Sequence, residues 1–172
     1  MRISGTARRL LPGSLAVLLT AAVAFRPGPE AIAVSGEFTL TYVDPSVAKG
    51  TNAKGASIFI STARGTNRNT GAGKYLSAAR VVNVDTAAMA EGNGTHSGNA
   101  TFSEGSNTLV KSFAGTTSTT MIKGRPESTF KGRWRILRGT GRYAGVTGNG
   151  SYTGRFETGT TYTLEWAGNV SM

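Results

Sequence analysis

Phe130-Lys131-Gly132-Arg133-Trp134-Arg135-Ile136 alternates residue by residue between an apolar or small side chain and a basic one. In an extended strand, side chains two apart share a face. Phe130, Trp134 and Ile136 therefore belong to a core, and Lys131, Arg133 and Arg135 to the opposite, solvated face. The same period of two recurs on both sides of this stretch. Phe38, Leu40 and Tyr42 share a face within Glu37 to Tyr42, and Ser57 to Thr62 is a short β-branched run. Leu76 to Asp85, Thr95 to Ser103 and Thr108 to Gly115 follow, the last with Leu109, Lys111 and Phe113 on one face. Val146 to Phe156 and Thr160 to Ala167 complete the set, with Tyr162, Leu164 and Trp166 aligned. No stretch after residue 33 keeps a 3.6-residue apolar stripe for three turns. About eight short strands separated by Gly/Asn/Ser turns predict an all-β fold, a single antiparallel barrel of about eight strands. Thr86 to Glu91 is expected to continue a strand or form a single turn. Gly50 to Lys54 and Arg64 to Lys74 read as polar, Gly-rich loops, the second long enough to cover an opening.

Gly139-Thr140-Gly141-Arg142-Tyr143-Ala144 fits the G-x-G-x-x-A spacing of a dinucleotide fingerprint. That chemistry needs a helix opening at the motif, with its N-terminus facing a pyrophosphate. Here Gly145 to Gly150 and then an alternating run follow, so the glycines are read as turn residues and no cofactor is expected. Gly148-Asn149-Gly150 is expected to form a tight hairpin turn at positive φ.

These motifs carry a resemblance. Phe130-x-Gly132-x-Trp134-x-Ile136, Gly139 to Gly145, and Gly148-x-Gly150-x-Tyr152 resemble the allene oxide cyclase-like and dirigent-like β-barrels. Gly92-x-Gly94-x-x-x-Gly98, with Gly105 opening the next turn, is similar to the same group. The resemblance spans roughly residues 35–170 and is most specific over 130–154. It implies an eight-stranded antiparallel barrel with a central cavity. Characterised members include cyclases and stereochemical guides acting on apolar, unsaturated molecules, and many bacterial exported members have no assigned activity. The matching positions are turn glycines and core aromatics, so the resemblance transfers no catalytic residue. The cysteine of plant allene oxide cyclases has no counterpart in this chain.

The 172 residues contain no cysteine and one histidine, which removes disulfides, thiolate catalysis and multi-histidine metal centres. Residues 1–33 read as an export signal, with Arg2, Arg8 and Arg9 before an apolar run from Leu10 to Phe25. Small-x-small sites stand at Ala22-Val23-Ala24 and Ala31-Ile32-Ala33, and cleavage is expected after Ala33, where the Pro-rich Arg26 to Pro29 breaks the helix. The barrel domain is then 34–172, in an exported (periplasmic or extracellular) protein. This domain keeps 15 basic and 8 acidic residues, a balance of +7. Such a surface attracts anionic glycans or lipid headgroups, and Lys131, Arg133 and Arg135 form the expected strip. Nucleic acid is not an expected partner for an exported chain. An oligomer is compatible with the sequence.

His96 is a candidate general acid or base, and Glu165, on a predicted strand, is a candidate carboxylate partner. Tyr42, Trp134, Tyr162 and Trp166, on predicted inward faces, are candidate ligand-binding residues. Three functions fit: a barrel that binds a small apolar ligand, a filled-barrel envelope protein, or a cyclase or isomerase for an unsaturated apolar substrate. Cavity volume separates them, since an eight-stranded barrel is either packed solid or holds one small ligand.

Overall fold

The computed structural model describes residues 30–44 and 48–172. Nine antiparallel strands form one sheet: β1 (Ala31–Tyr42), β2 (Ala48–Thr51), β3 (Ser57–Asn69), β4 (Arg80–Ala90), β5 (Asn93–Glu104), β6 (Asn107–Ile122), β7 (Arg125–Gly139), β8 (Thr147–Phe156) and β9 (Thr161–Ser171). Their order is β1-β9-β8-β7-β6-β5-β4-β3-β2, and an additional β1–β3 pairing closes eight of them into a barrel. The short β2 lies outside the ring, on β3. Most of the expected export signal lies outside the described residues. β1 takes in Ala31, Ile32 and Ala33, paired with Ser171, Val170 and Asn169, so regular pairing begins three residues before the expected domain boundary.

Period two is kept around the ring. On β7, Phe130 and Trp134 are buried while Lys131, Arg133 and Arg135 are exposed. Tight hairpins join β4 to β5 at Glu91-Gly92 and β6 to β7 at Lys123-Gly124, each with both residues at positive φ. That is the turn geometry whose twist matches a right-handed strand pair.

The expected loop Gly50 to Lys54 begins within β2, where Gly50 and Thr51 pair with Ile58 and Ser57, and three longer segments also depart from the sequence reading. Arg64 to Asn69 is strand, not loop: its inward positions are small or polar (Gly65, Asn67), so it lacks an apolar signature while pairing with both β1 and β4. Leu76 to Ala79 is not strand. Leu76 and Ala78 take positive φ, and the connection 70–79 turns inward to plug one end of the barrel. Tyr75, Leu76 and Ala79 are buried there. Asn67 holds the plug by donating to the Leu76 carbonyl (2.7 Å), and the Leu76 amide donates to the Tyr143 hydroxyl (3.2 Å). Finally, Gly148-Asn149-Gly150 is not a hairpin turn but the interior of β8, facing Val170, Asn169 and Gly168 of β9. A Cβ on Gly150 would run into the Ala167 carbonyl oxygen and come within 2.6 Å of the Trp134 ring. Glycine is required there by close approach. The turn is made earlier, by the 3-10 helix Gly141–Tyr143 with Gly141 and Gly145 at positive φ.

Trp134→Ala should cost about 3–5 kcal/mol, the range for truncating a buried aromatic. Arg133→Ala should cost under ~0.5 kcal/mol, as for an exposed site. Urea denaturation of the two variants checks this, and equal losses would contradict the assigned facing of β7.

Candidate functional site

The plugged end is solid. Val34, Leu76, Val81, Leu109, Tyr143, Val146 and Val170 are all buried there. The opposite half is not filled. A cavity of about 260 Å³ runs from the middle of the barrel to the hairpin end, where Phe59, Met89 and Gly159 line its mouth. Its walls are mainly aromatic, and a filled barrel does not account for it. Tyr42, Phe156, Phe130 and Tyr162 form a connected set with centroid separations of 5.5–6.5 Å.

Polar groups are few and grouped by strand. From β4, Asn83 donates to the Tyr162 hydroxyl (2.8 Å). Two residues on, Asp85 accepts a 2.6 Å bond from Ser61 of β3. Burial raises the Asp85 carboxyl above the usual aspartate range, and the Ser61 bond only partly offsets it. From β5, His96 points inward. Its Nε2 bonds the Tyr152 hydroxyl (2.7 Å) and its Nδ1 the Thr117 hydroxyl (3.1 Å). One ring nitrogen donates and the other accepts, and both hydroxyls suit either tautomer. Burial lowers the His96 pKa, which favours the neutral ring. Burial likewise raises the phenols, Tyr42 to about 12 and Tyr152 and Tyr162 further, so all three keep their protons as donors.

The cavity floor holds a charge carrier. Lys111 of β6 is 3% exposed. Its Nζ lies 3.5 Å from the Trp166 ring centroid, 4.1 Å from Trp134, 4.8 Å from Phe102 and 5.7 Å from Tyr75. Among the described residues it has no hydrogen-bond partner. Two effects oppose each other. The ring faces attract an ammonium, by about 2 kcal/mol when desolvated. Removing that ammonium from water costs several kcal/mol. Burial prevails and pushes the lysine well below its ordinary value, toward the neutral amine.

Of the residues singled out from the sequence, Tyr42, His96, Trp134, Tyr162 and Trp166 all line this cavity. Glu165 does not. It alternates with inward Leu164 and Trp166 and is exposed on the outer face, so it is not within the cavity that contains His96. Lys131, Arg133 and Arg135 lie on the outer face as well. Their cross-strand neighbours are Thr116, Ala114 and Ser112 on β6 and Thr153, Ser151 and Asn149 on β8, none of them acidic. Sequence reasoning missed Asp85, Asn83 and Lys111. Lys111 had a legible signal, since it shares a period-two face with Leu109 and Phe113. Asp85 and Asn83 did not, because apolar residues stand on both faces of this strand, Val81 buried and Val84 exposed.

No protein-family model and no curated protein matches the sequence. Among solved structures the chain is similar to two pterocarpan synthase dirigent proteins. The first is 17% identical, with 88% of this chain and 96% of that chain covered and a TM-score of 0.42. The second is 17% identical over 83% and 95%, also with a TM-score of 0.42. The match is to dirigent proteins, at low identity.

Asp85 generates a pH prediction. Its folded pKa lies above its unfolded one, so the unfolded chain releases this proton first. The stability it contributes is therefore lost as pH rises from the ordinary aspartate value through the raised one. Asp85→Asn keeps an acceptor for Ser61 and removes the charge. Relative to the wild type it should melt higher at pH 7, with the difference vanishing toward pH 3. Paired thermal melts across that range check this, and a difference independent of pH would contradict it.

Proposed function

We propose that this barrel is an exported protein that binds a compact, mainly apolar molecule in its open half. The observation that carries this reading is the cavity itself, closed at one end, open at the other, and walled by aromatic rings with polar groups confined to small clusters. Small-molecule sites have this composition, an apolar lining with a few placed polar groups. At about 260 Å³ the space is just below the common range for such sites and suits a molecule of one or two rings. Asn83, Tyr162, Tyr152 and His96 would orient such a ligand through its oxygens or nitrogens.

A second reading is favoured by Asp85. A buried carboxyl with a raised pKa can hold a proton for a reacting group, as in general acid catalysis. With Tyr42 and Tyr162 in the same cavity, that arrangement supports a cyclase or isomerase acting on an unsaturated apolar substrate. On the outer face, the row Lys131, Arg133 and Arg135, which has no acidic cross-strand neighbour on β6 or β8, supports attachment to an anionic glycan or lipid surface.

The binding reading is tested with N-phenyl-1-naphthylamine, a neutral probe that fluoresces in apolar surroundings. The wild-type protein should enhance its emission saturably. Ala87→Trp, which places an indole in the cavity near its mouth, should weaken the probe by about tenfold or more, equivalent to 1.4 kcal/mol, while the protein still melts cooperatively. No enhancement, or equal affinity in the folded variant, would contradict the reading.

A further inference from the structure

We propose that Lys111 is a covalent capture site, whose side-chain amine forms an imine with an apolar aldehyde that enters the barrel. This rests on the cavity being a ligand site. It adds the chemical class of the ligand and the atom that holds it.

The argument is one of placement. A fully buried lysine ordinarily has a carboxylate beside it, because an unpaired buried charge is costly. Lys111 has none. The groups around its nitrogen are the rings of Trp166, Trp134, Phe102 and Tyr75, none of which carries a counter-charge, and the Tyr75 hydroxyl makes no bond to it. The cavity carboxylate, Asp85, accepts from Ser61 and stands two residues along β4 from Asn83, which is in register with Lys111 through Ala100. The carboxylate near the plugged end, Glu104, has its Oε2 held by Arg142 and the Tyr143 hydroxyl, while its Oε1 is buried without a partner and makes no bond to Lys111 among the described residues. The amine thus lacks the partner a structural lysine would need, yet it lies at the floor of the chain's aromatic cavity. A hydrophobic residue at this point would pack as well without that cost. Desolvation in an apolar pocket is one of the ways proteins turn lysine into a nucleophile toward carbonyls.

The step balances without a further reactant. The lone pair on Nζ attacks the aldehyde carbon, and the carbonyl π bond opens onto oxygen. One amine hydrogen moves to that oxygen to give a carbinolamine. The carbon–oxygen bond then breaks as the carbon–nitrogen double bond forms, and the second amine hydrogen leaves with the oxygen as water. The indoles of Trp134 and Trp166 cover the nitrogen, so the flexible four-carbon stem must swing the amine upward for attack. The aromatic walls then hold the apolar remainder of the aldehyde and shield the imine from water.

The test uses trans-cinnamaldehyde with sodium cyanoborohydride at pH 7, followed by intact mass and peptide mapping. Only the free amine attacks a carbonyl, and burial among the rings pushes Lys111 toward that form. One reduced cinnamyl group should therefore appear at Lys111, at least about tenfold ahead of Lys49, Lys54, Lys74, Lys123 or Lys131. N-phenyl-1-naphthylamine should be displaced as the adduct forms. Lys111→Met, which fills the same space without an amine, should fold, melt higher than the wild type and take no label at the floor. Displacement of the probe by cinnamaldehyde with no trapped Lys111 would overturn the proposal while leaving the cavity as a binding site. Labelling confined to surface lysines or the chain terminus would overturn it too, and this is read on the wild type even if Lys111→Met does not fold.

Discussion

Large aromatic side chains inside this barrel lie across glycines of the neighbouring strand, and the rest of the structure depends on that pairing. The Trp166 indole covers Gly36, where a Cβ would come within 2.5 Å of the ring. Trp134 lies against Gly150 and Gly168, and Phe130 against Gly154. The Tyr152 hydroxyl end reaches over Gly115 and Gly132. An eight-stranded ring leaves an interior only just wide enough for side chains to fill. Two tryptophans at one level fit because their neighbours on the next strand have no side chain. Shape complementarity here is set by absence as much as by bulk, and overfilling a packed interior typically costs about 1–3 kcal/mol.

That arrangement decides where space remains. The tryptophans, the Tyr75–Leu76 plug and the aliphatic residues beneath fill one half of the barrel. Above them the inward positions shrink to Ala87, Gly98, Ala100 and Ser61, and the cavity opens. Polar groups in this region work in a low-dielectric setting, which strengthens their bonds and penalises their charges. Asp85, His96 and Lys111 are all pushed toward their neutral forms by burial. The Ser61 bond to Asp85 and the ring contacts of Lys111 offset only part of the cost of burying these two groups.

Much of this was legible in the sequence, where side-chain identity and facing agree. Phe130 to Ile136 alternates so strictly that facing and strand type follow from the order of residues. Tyr42, Trp134, Tyr162 and Trp166 could be assigned to the interior for the same reason. The failures share a cause, which is that an inward position need not be apolar. Asn67 is buried, but its Oδ1 accepts from the Trp166 indole (2.8 Å) and its amide holds the Leu76 carbonyl, so a polar residue satisfies two buried groups at once. Read alone, Arg64 to Asn69 resembles a loop. Leu76 to Ala79 resembles strand because its residues are apolar, yet it folds as a plug whose partner, Tyr143, lies 67 residues away. Gly148 and Gly150 look like turn residues because the backbone of β9 and the Trp134 ring that exclude a Cβ there belong to other strands.

The dependence of the interior on glycine–aromatic pairing is tested most directly by a double-mutant cycle on Gly36 and Trp166, read as unfolding free energies in urea. The account predicts that Gly36→Ala destabilises the wild-type barrel strongly but far less when Trp166 is leucine, with a coupling energy of about 1 kcal/mol or more, inside the range for residues in contact. Additive effects, with Gly36→Ala equally costly in both backgrounds, would mean that the indole does not take up the space above Gly36 and would contradict the account.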